Sequence, residues 1–352
     1  MSDFLEPREG LTSTGRYLSP QIDATVRLNA NESPHSPLVG SSIIEQSDMN
    51  RYPDRDARIL REAIAEHHAL SVNQVFAANG SNEVIQTFLL AYGGPERSVM
   101  IFSPTYVMHS KIAAITGTPV IDLKREKDFG LNVDFVCEQI EKEKPSLIFL
   151  CSPNNPTGIS DPEELPERIL ESLRTYKGIL FVDEAYGEFA SSSYVSLISE
   201  ECPLVVSRTF SKAWGLAGLR LGYLLGPSRC IEEVANVSLP YHLGTITQSV
   251  AVNALKDSRS VENQVDDIIK ERNRIGEALK NLAVEVWPSE TNFILFRPIN
   301  MNATEVWEKL VSNSVLIRDF SKIEGLNGCL RVTIGTKTEN NIFIEALEEI
   351  LK

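Results

Sequence analysis

The sequence predicts an α/β protein, with a large domain built on a mostly parallel, seven-stranded sheet and a smaller α+β domain after it. Three observations carry this expectation. Between Val75 and Gly226 short apolar runs alternate with helical stretches. The runs are apolar throughout, as in strands covered on both faces. Beyond residue 250 or so the pattern changes to one long amphipathic helix, then strands and helices in mixed order.

In chain order, residues 1–50 are punctuated by Gly, Pro, Asn and Ser and read as an N-terminal arm of loops. DARILREAIAEHHAL then has Ala57, Leu60 and Ile64 at helical spacing. The seven strand-like runs follow: VFAAN, SVMIFS, TPVIDL, SLIFLCS, GILFVDEA, PLVVSRTFS and LGYLLG. From Val261 to Leu282, the positions Val261, Val265, Ile268, Ile275, Leu279 and Leu282 mark one helix. NFILFRP, VLIRDF and CLRVTIGT read as strands, and NATEVWEKLVSN and TENNIFIEALEEILK as helices. The expected organisation is an arm over 1–50, a large domain over 51–250 and a small domain over 251–352.

A net charge of -14 opposes nucleic acid or an anionic membrane as partner. No apolar run approaches the roughly 18 residues of a membrane span, and MSDFLEPREG lacks the apolar core of a signal peptide. The five cysteines form no C-x-x-C pair, and with five histidines no metal-ligand spacing arises. These features lead to the expectation of a cytoplasmic protein that binds no metal.

In open α/β sheets ligands bind beyond the carboxyl ends of the strands, and the residues there carry the chemistry. After VFAAN comes Gly80-Ser81-Asn82, opening a helix whose free N–H groups can cradle a phosphate, or which is simply capped there. After SVMIFS comes Tyr106, a ring that can lie on an aromatic ligand or be an ordinary half-buried aromatic. After SLIFLCS comes PNNPTG, either a plain turn or a stiff loop that aims an amide at a ligand. GILFVD ends on Asp183, an acid that is costly in a buried strand unless paired. PLVVSRTF leads to Ser211-Lys212, with Arg220 eight residues on. Lys212 is either a solvated cation or a desolvated amine freed as a nucleophile. Taken alone, each favours the plain alternative except Asp183, for which a surface acid or a structural salt bridge is only as good a reading. The conjunction is different: phosphate cradle, ring stack, amide, acid and amine are the groups that pyridoxal phosphate needs, and the acid keeps the pyridine nitrogen protonated.

SPNNPTG, VDEAY and SRTFSKAWGLAGLRLGY resemble the signature of the class II, fold-type-I pyridoxal-phosphate aminotransferases. RLNANESP, NRYPDRD, AANGSNE, SPTY, ETNFILF, LIRD and LRVTIGT extend the resemblance over about Tyr17 to Thr336, and within the family it runs to the histidinol-phosphate aminotransferase subfamily. The chain departs from the family pattern at His35, at Asn82 and in TSTGR before Tyr17.

The resemblance implies the pyridoxal-phosphate-dependent transferase fold of type I. It implies Lys212 as Schiff-base lysine and proton shuttle, and Asp183 as pyridinium partner. Asn155 and Tyr186 would bond the cofactor O3′, and Tyr106 would stack on its ring. Ser81, Asn82, Ser211 and Arg220 would hold its phosphate, with Tyr52 reaching the phosphate in a neighbouring subunit of a homodimer. Arg331 and Arg318 would bind the substrate's anionic group, and Tyr17 and Asn31 would contact substrate. The reaction implied is amino transfer from L-histidinol phosphate to 2-oxoglutarate, in histidine biosynthesis. An aromatic amino-acid aminotransferase shares the same segments, and a threonine-phosphate-type decarboxylase and a regulatory pyridoxal-phosphate domain are the other readings. The regulatory domain is disfavoured by the acidic charge and the short N-terminus.

Overall fold

The computed structural model describes residues 22–37 and 49–352. In chain order the elements are β1 (Val26–Arg27), α1 (Arg58–His67), β2 (Val75–Ala78), α2 (Gly80–Tyr92), β3 (Val99–Ser103), α3 (Met108–Thr116), β4 (Val120–Lys124), α4 (Val133–Glu143), β5 (Leu147–Cys151), α5 (Leu165–Leu173), β6 (Ile179–Asp183), β7 (Leu204–Thr209), β8 (Gly222–Leu225), α6 (Ser228–Asn236), α7 (Thr245–Lys256), α8 (Ser258–Lys280), β9 (Val284–Val286), β10 (Phe293–Pro298), α9 (Ala303–Ser312), β11 (Val315–Leu316), β12 (Arg318–Asp319), β13 (Leu330–Thr333) and α10 (Lys337–Leu351).

The seven strand-like runs form one sheet in the order β2-β8-β7-β6-β5-β3-β4. All pairings are parallel except those of β8, which runs antiparallel to both β2 and β7. Strands β2, β5, β7 and β8 are buried at every position, which is why they read as continuous apolar runs. β4 departs from that expectation. Its residues VIDLK are exposed or half-buried, unlike those of β2 at the other edge, and Asp122 and Lys124 deter further pairing along it. The reversal of β8 has a consequence for the site: Arg220, which precedes it, lies at the same edge as the carboxyl ends of the other six strands.

A second, four-stranded antiparallel sheet has the order β12-β13-β10-β9. α8 buries Val265, Ile268, Arg272, Ile275 and Leu279 on one face, starting and stopping slightly before the span that the periodicity suggested. The Thr336 hydroxyl and the Glu339 carboxylate make a capping box that starts α10. β1 pairs in parallel with β11, and the Thr333 N–H donates to the Leu28 carbonyl at 2.9 Å. The N-terminal segment is thereby stitched to the C-terminal part of the chain, and Asn29 to Asn31 are carried to the mouth of the large sheet. Among the described residues no helix is long and apolar enough to cross a membrane.

Candidate active site

A cleft of about 680 Å³ lies between the edge of the large sheet and the four-stranded sheet, a size typical of small-molecule sites. Its lining includes Asn31, Ser81, Asn82, Tyr106, Asn155, Asp183, Tyr186, Ser211, Lys212, Arg220, Arg318 and Arg331. Two further residues singled out in the sequence are not among them. Tyr17 lies outside the described residues. Tyr52 is 82% exposed, away from the cleft of its own chain, with its ring stacked on Tyr241 at 4.8 Å between centroids.

Asp183 ends β6 and is 1% exposed, so its carboxylate needs partners. It accepts from the Ser207 hydroxyl (3.1 Å) and the Ala185 N–H (3.1 Å), and its other oxygen lies 3.0 Å from His109 Nε2. His109 and Ser207 escaped the sequence reading. His109 follows Tyr106 by three residues, one helical turn, and its ring meets the tyrosine edge-on at 5.5 Å; the one signal available was this spacing after SPTY.

Lys212 follows β7, and its Nζ donates to the carbonyls of Ala30 (3.1 Å) and Asn31 (3.0 Å). Its pKa is pushed down to about 7, chiefly by burial and then by the Arg331 charge, with Arg220 adding to the effect and Glu32 opposing it. At neutral pH a large fraction of this amine is uncharged, unlike an exposed lysine.

PNNPTG resolves into two asparagines with different work. Asn154 is fully buried and knits loops together: it accepts from the Thr105 hydroxyl at 2.9 Å and donates to the Pro104 carbonyl at 3.0 Å and to Thr157 Oγ1 at 2.9 Å. Asn155 instead turns its amide into the cleft, where its oxygen accepts from Arg331 Nη1 at 2.6 Å. Tyr186 OH accepts from Asn31 Nδ2 at 2.7 Å, and burial pushes its phenol above the ordinary value, against the opposing Arg331 charge.

At the start of α2, Gly80 has φ +78, and a Cβ there would stand 2.6 Å from Arg220 Nη2. Glycine is required for its backbone angle, and its bare Cα leaves room for the guanidinium that lies across it. Arg220 Nη1 also donates to Ser211 Oγ (3.3 Å), so Ser81, Ser211 and Arg220 converge at the positive end of a helix. Tyr106 OH donates to Asn82 Oδ1 at 3.0 Å, which holds the ring at the wall of the cleft. Across the cleft Arg318 and Arg331 stand directly opposite each other on β12 and β13. The Arg331 guanidinium lies 4.9 Å from the Phe293 ring centre and 5.1 Å from that of Phe320.

Pyridoxal phosphate fits these residues. Its phosphate matches the Gly80–Arg220 cradle, its ring nitrogen the buried acid, and its aldehyde the depressed amine, with Tyr106 beside the ring. The fold is that of the fold-type-I pyridoxal-phosphate-dependent transferases. The chain belongs to the aminotransferase class I and II family, whose model matches residues 13–347; it is an aminotransferase with pyridoxal phosphate as cofactor and small molecules as substrates. It is 43% identical over 360 residues to a histidinol-phosphate aminotransferase of Mycobacterium sp. (strain JLS), covering 98% of this chain and 94% of the relative. The fold matches a histidinol-phosphate aminotransferase from Sinorhizobium meliloti, solved in complex with pyridoxal-5'-phosphate, with a TM-score of 0.87 at 22% identity, covering 99% of this chain and 98% of that one. It also matches L-threonine-O-3-phosphate decarboxylase from Porphyromonas gingivalis, with a TM-score of 0.80 at 23% identity, covering 93% and 99%. Fold alone thus does not separate transamination from decarboxylation.

Proposed function

We propose that this chain transfers the amino group of L-histidinol phosphate to 2-oxoglutarate, giving imidazole acetol phosphate and L-glutamate as a step of histidine biosynthesis in the cytoplasm. The observation that carries the reading is the arginine pair. Arg318 and Arg331 are register partners on adjacent strands, and both line the cleft. Histidinol phosphate has no carboxylate, so its phosphate must use the anion site that glutamate's carboxylate uses in the other half-reaction. A guanidinium fork pairs with either anion.

The residue roles follow from their chemistry. Lys212 would hold the cofactor's aldehyde and, as a free amine, would serve as the base and acid for the proton at the substrate Cα. An amine whose pKa burial lowers to about 7 is partly uncharged at neutral pH, as a nucleophile must be. Asp183, fixed by His109, Ser207 and the Ala185 N–H, would keep the ring nitrogen protonated. Asn155 and Tyr186 would bond O3′, Tyr106 would cover the ring, and Ser81, Asn82, Ser211 and Arg220 would bind the phosphate. When bound, the cofactor supplies an electron sink for the pair left at the substrate Cα. Asn31 and Tyr17 would contact the substrate. The proposed division is the arm over 1–50, the large domain over 51–250 and the small domain over 251–352, with the cleft between the last two.

The proposed assembly is a homodimer with shared sites. Tyr52 is exposed and outside its own cleft, which suits a side chain that serves the cofactor phosphate of a neighbour. Mixing inactive Lys212→Ala and Tyr52→Ala chains should restore part of the activity through hybrid dimers, whereas a fully active monomer in light scattering would contradict shared sites. The substrate is tested by turnover of histidinol phosphate, phenylalanine and threonine phosphate with 2-oxoglutarate, monitoring carbon dioxide. Histidinol phosphate is expected to win without gas release. Preference for phenylalanine, or carbon dioxide from threonine phosphate, would overturn the assignment.

A further inference from the structure

We infer that Glu290, which lines no part of the cleft, is a positioning residue that fixes Asn155, Tyr186 and Arg331 relative to one another. Its consequence for catalysis rests on the transaminase reading; its geometry does not.

Glu290 lies in the turn between β9 and β10, and three segments meet on it. Its carboxylate accepts from the Ser160 hydroxyl at 2.8 Å, from the Ser191 N–H at 3.1 Å and from the Ser191 hydroxyl at 3.1 Å. Its own N–H donates to the Gly158 carbonyl at 2.8 Å. Gly158 has φ +83, and a Cβ there would stand 2.7 Å from Ser289 Oγ, so the two segments meet at backbone distance. Ser160 stands five residues after Asn155, and Ser191 five after Tyr186. Glu290 itself stands three residues before β10, in which Leu295 is paired with Arg331 of β13. Two residues on, Asn292 Nδ2 donates to the Asn31 carbonyl at 3.1 Å, beside the Asn31–Tyr186 hydrogen bond. One acid thus ties together the segments that deliver an amide, a phenol and a guanidinium to the same cleft. The Arg331–Asn155 contact of 2.6 Å shows how close that delivery has to be.

A carboxylate is suited to this turn. It accepts from three donors at once, whereas an amide has one oxygen and would set an N–H against a donor. Burial alone would raise the Glu290 pKa, but the hydrogen bonds from Ser191 and Ser160 and the Arg272 charge hold it below the usual carboxylate range. It is therefore ionised throughout the neutral range.

The test uses holoenzyme of wild type, Glu290→Gln, Glu290→Ala and the double variant Ser160→Ala/Ser191→Ala, which removes the donors and leaves the acid in place. Three quantities are read: KM and kcat for glutamate and histidinol phosphate, and the affinity of glutarate by calorimetry on apo- and holoenzyme. Glutarate has the carboxylates of the substrate and no amine, so it reports the anion site without chemistry. Misplacement by about an ångström costs on the order of 100-fold in catalysis, so Glu290→Ala should lose about that much in kcat/KM, with glutarate binding weakened in parallel. Glu290→Gln should fall between it and wild type, as should the double serine variant. If melting temperature falls in the variants while KM and glutarate affinity stay at the wild-type values, Glu290 is structural only and the inference is overturned. Failure of wild type to bind glutarate would overturn it as well. Weakened glutarate binding in the variants of an enzyme that transaminates none of the amines would uphold the positioning role and sink the transaminase reading instead.

Discussion

The two walls of the cleft are built on different principles. The large-sheet wall carries Asp183, Lys212, Asn155 and Tyr106 at or just beyond the ends of parallel strands, so each is placed by the few residues before it. The opposite wall carries Arg318 and Arg331 on strands of two and four residues, and Asn31 on a segment held by β11 and β13. It exists only once distant parts of the chain have come together. The first wall suits a cofactor that never leaves. The second suits alternating anionic substrates, and its precision depends on hydrogen bonds between segments.

That contrast makes a ranked set of predictions. The largest effect belongs to Lys212→Ala, which should abolish transamination. Borohydride reduction of wild type followed by peptide mapping should leave the cofactor mass on the peptide with Lys212, and recovery on another lysine would refute the assignment. Next is Asp183→Asn, which should fold yet lose roughly 10²–10³ in kcat, the scale of one preorganised electrostatic partner in a dry site. Near-normal turnover would make Asp183 a packing residue. On the opposite wall the losses should be smaller and substrate-dependent. Arg331→Ala should weaken both half-reactions by roughly 1.5–3 kcal/mol for each charge-assisted bond lost, and Arg318→Ala should hurt the phosphate substrate more than glutamate. Single-turnover spectra of the cofactor separate the two halves, and equal damage from both arginines would erase the distinction between them.

The mildest test is a pH dependence. A lysine whose pKa is lowered to about 7 is charged below that value and neutral above it, so uptake of pyridoxal phosphate by the apo-chain should rise as pH passes upward through about 7. A midpoint near the ordinary lysine value would mean that the amine is solvated, contrary to its burial.

How much was legible in the sequence follows the same division. The seven strands and the residues at their ends could be read because buried parallel strands are apolar runs and their ends are marked by Gly, Pro, Asn, Asp and Lys. Their tertiary partners could not. His109 and Ser207 reach Asp183 from 74 and 24 residues away, and nothing in a helix or strand pattern announces a partner at that distance. The residue types of PNNPTG leave open which asparagine faces the ligand, and the family resemblance points to Asn155; the bonds of Asn154 to Pro104 and Thr157 give the physical reason. The opposition of Arg318 and Arg331 needed the register of β12 against β13, and the Glu290 clamp needed three segments at once.

The central claim is that one arginine pair serves both a carboxylate and a phosphate, and it is tested most directly by the ratio of kcat/KM for histidinol phosphate to that for unphosphorylated histidinol. Two lost charge-assisted bonds at roughly 1.5–3 kcal/mol each correspond to a ratio of about 10²–10⁴ in wild type, and the ratio should fall to about 10–10² in Arg331→Ala, which keeps Arg318. Equal use of histidinol and its phosphate by wild type would contradict the account.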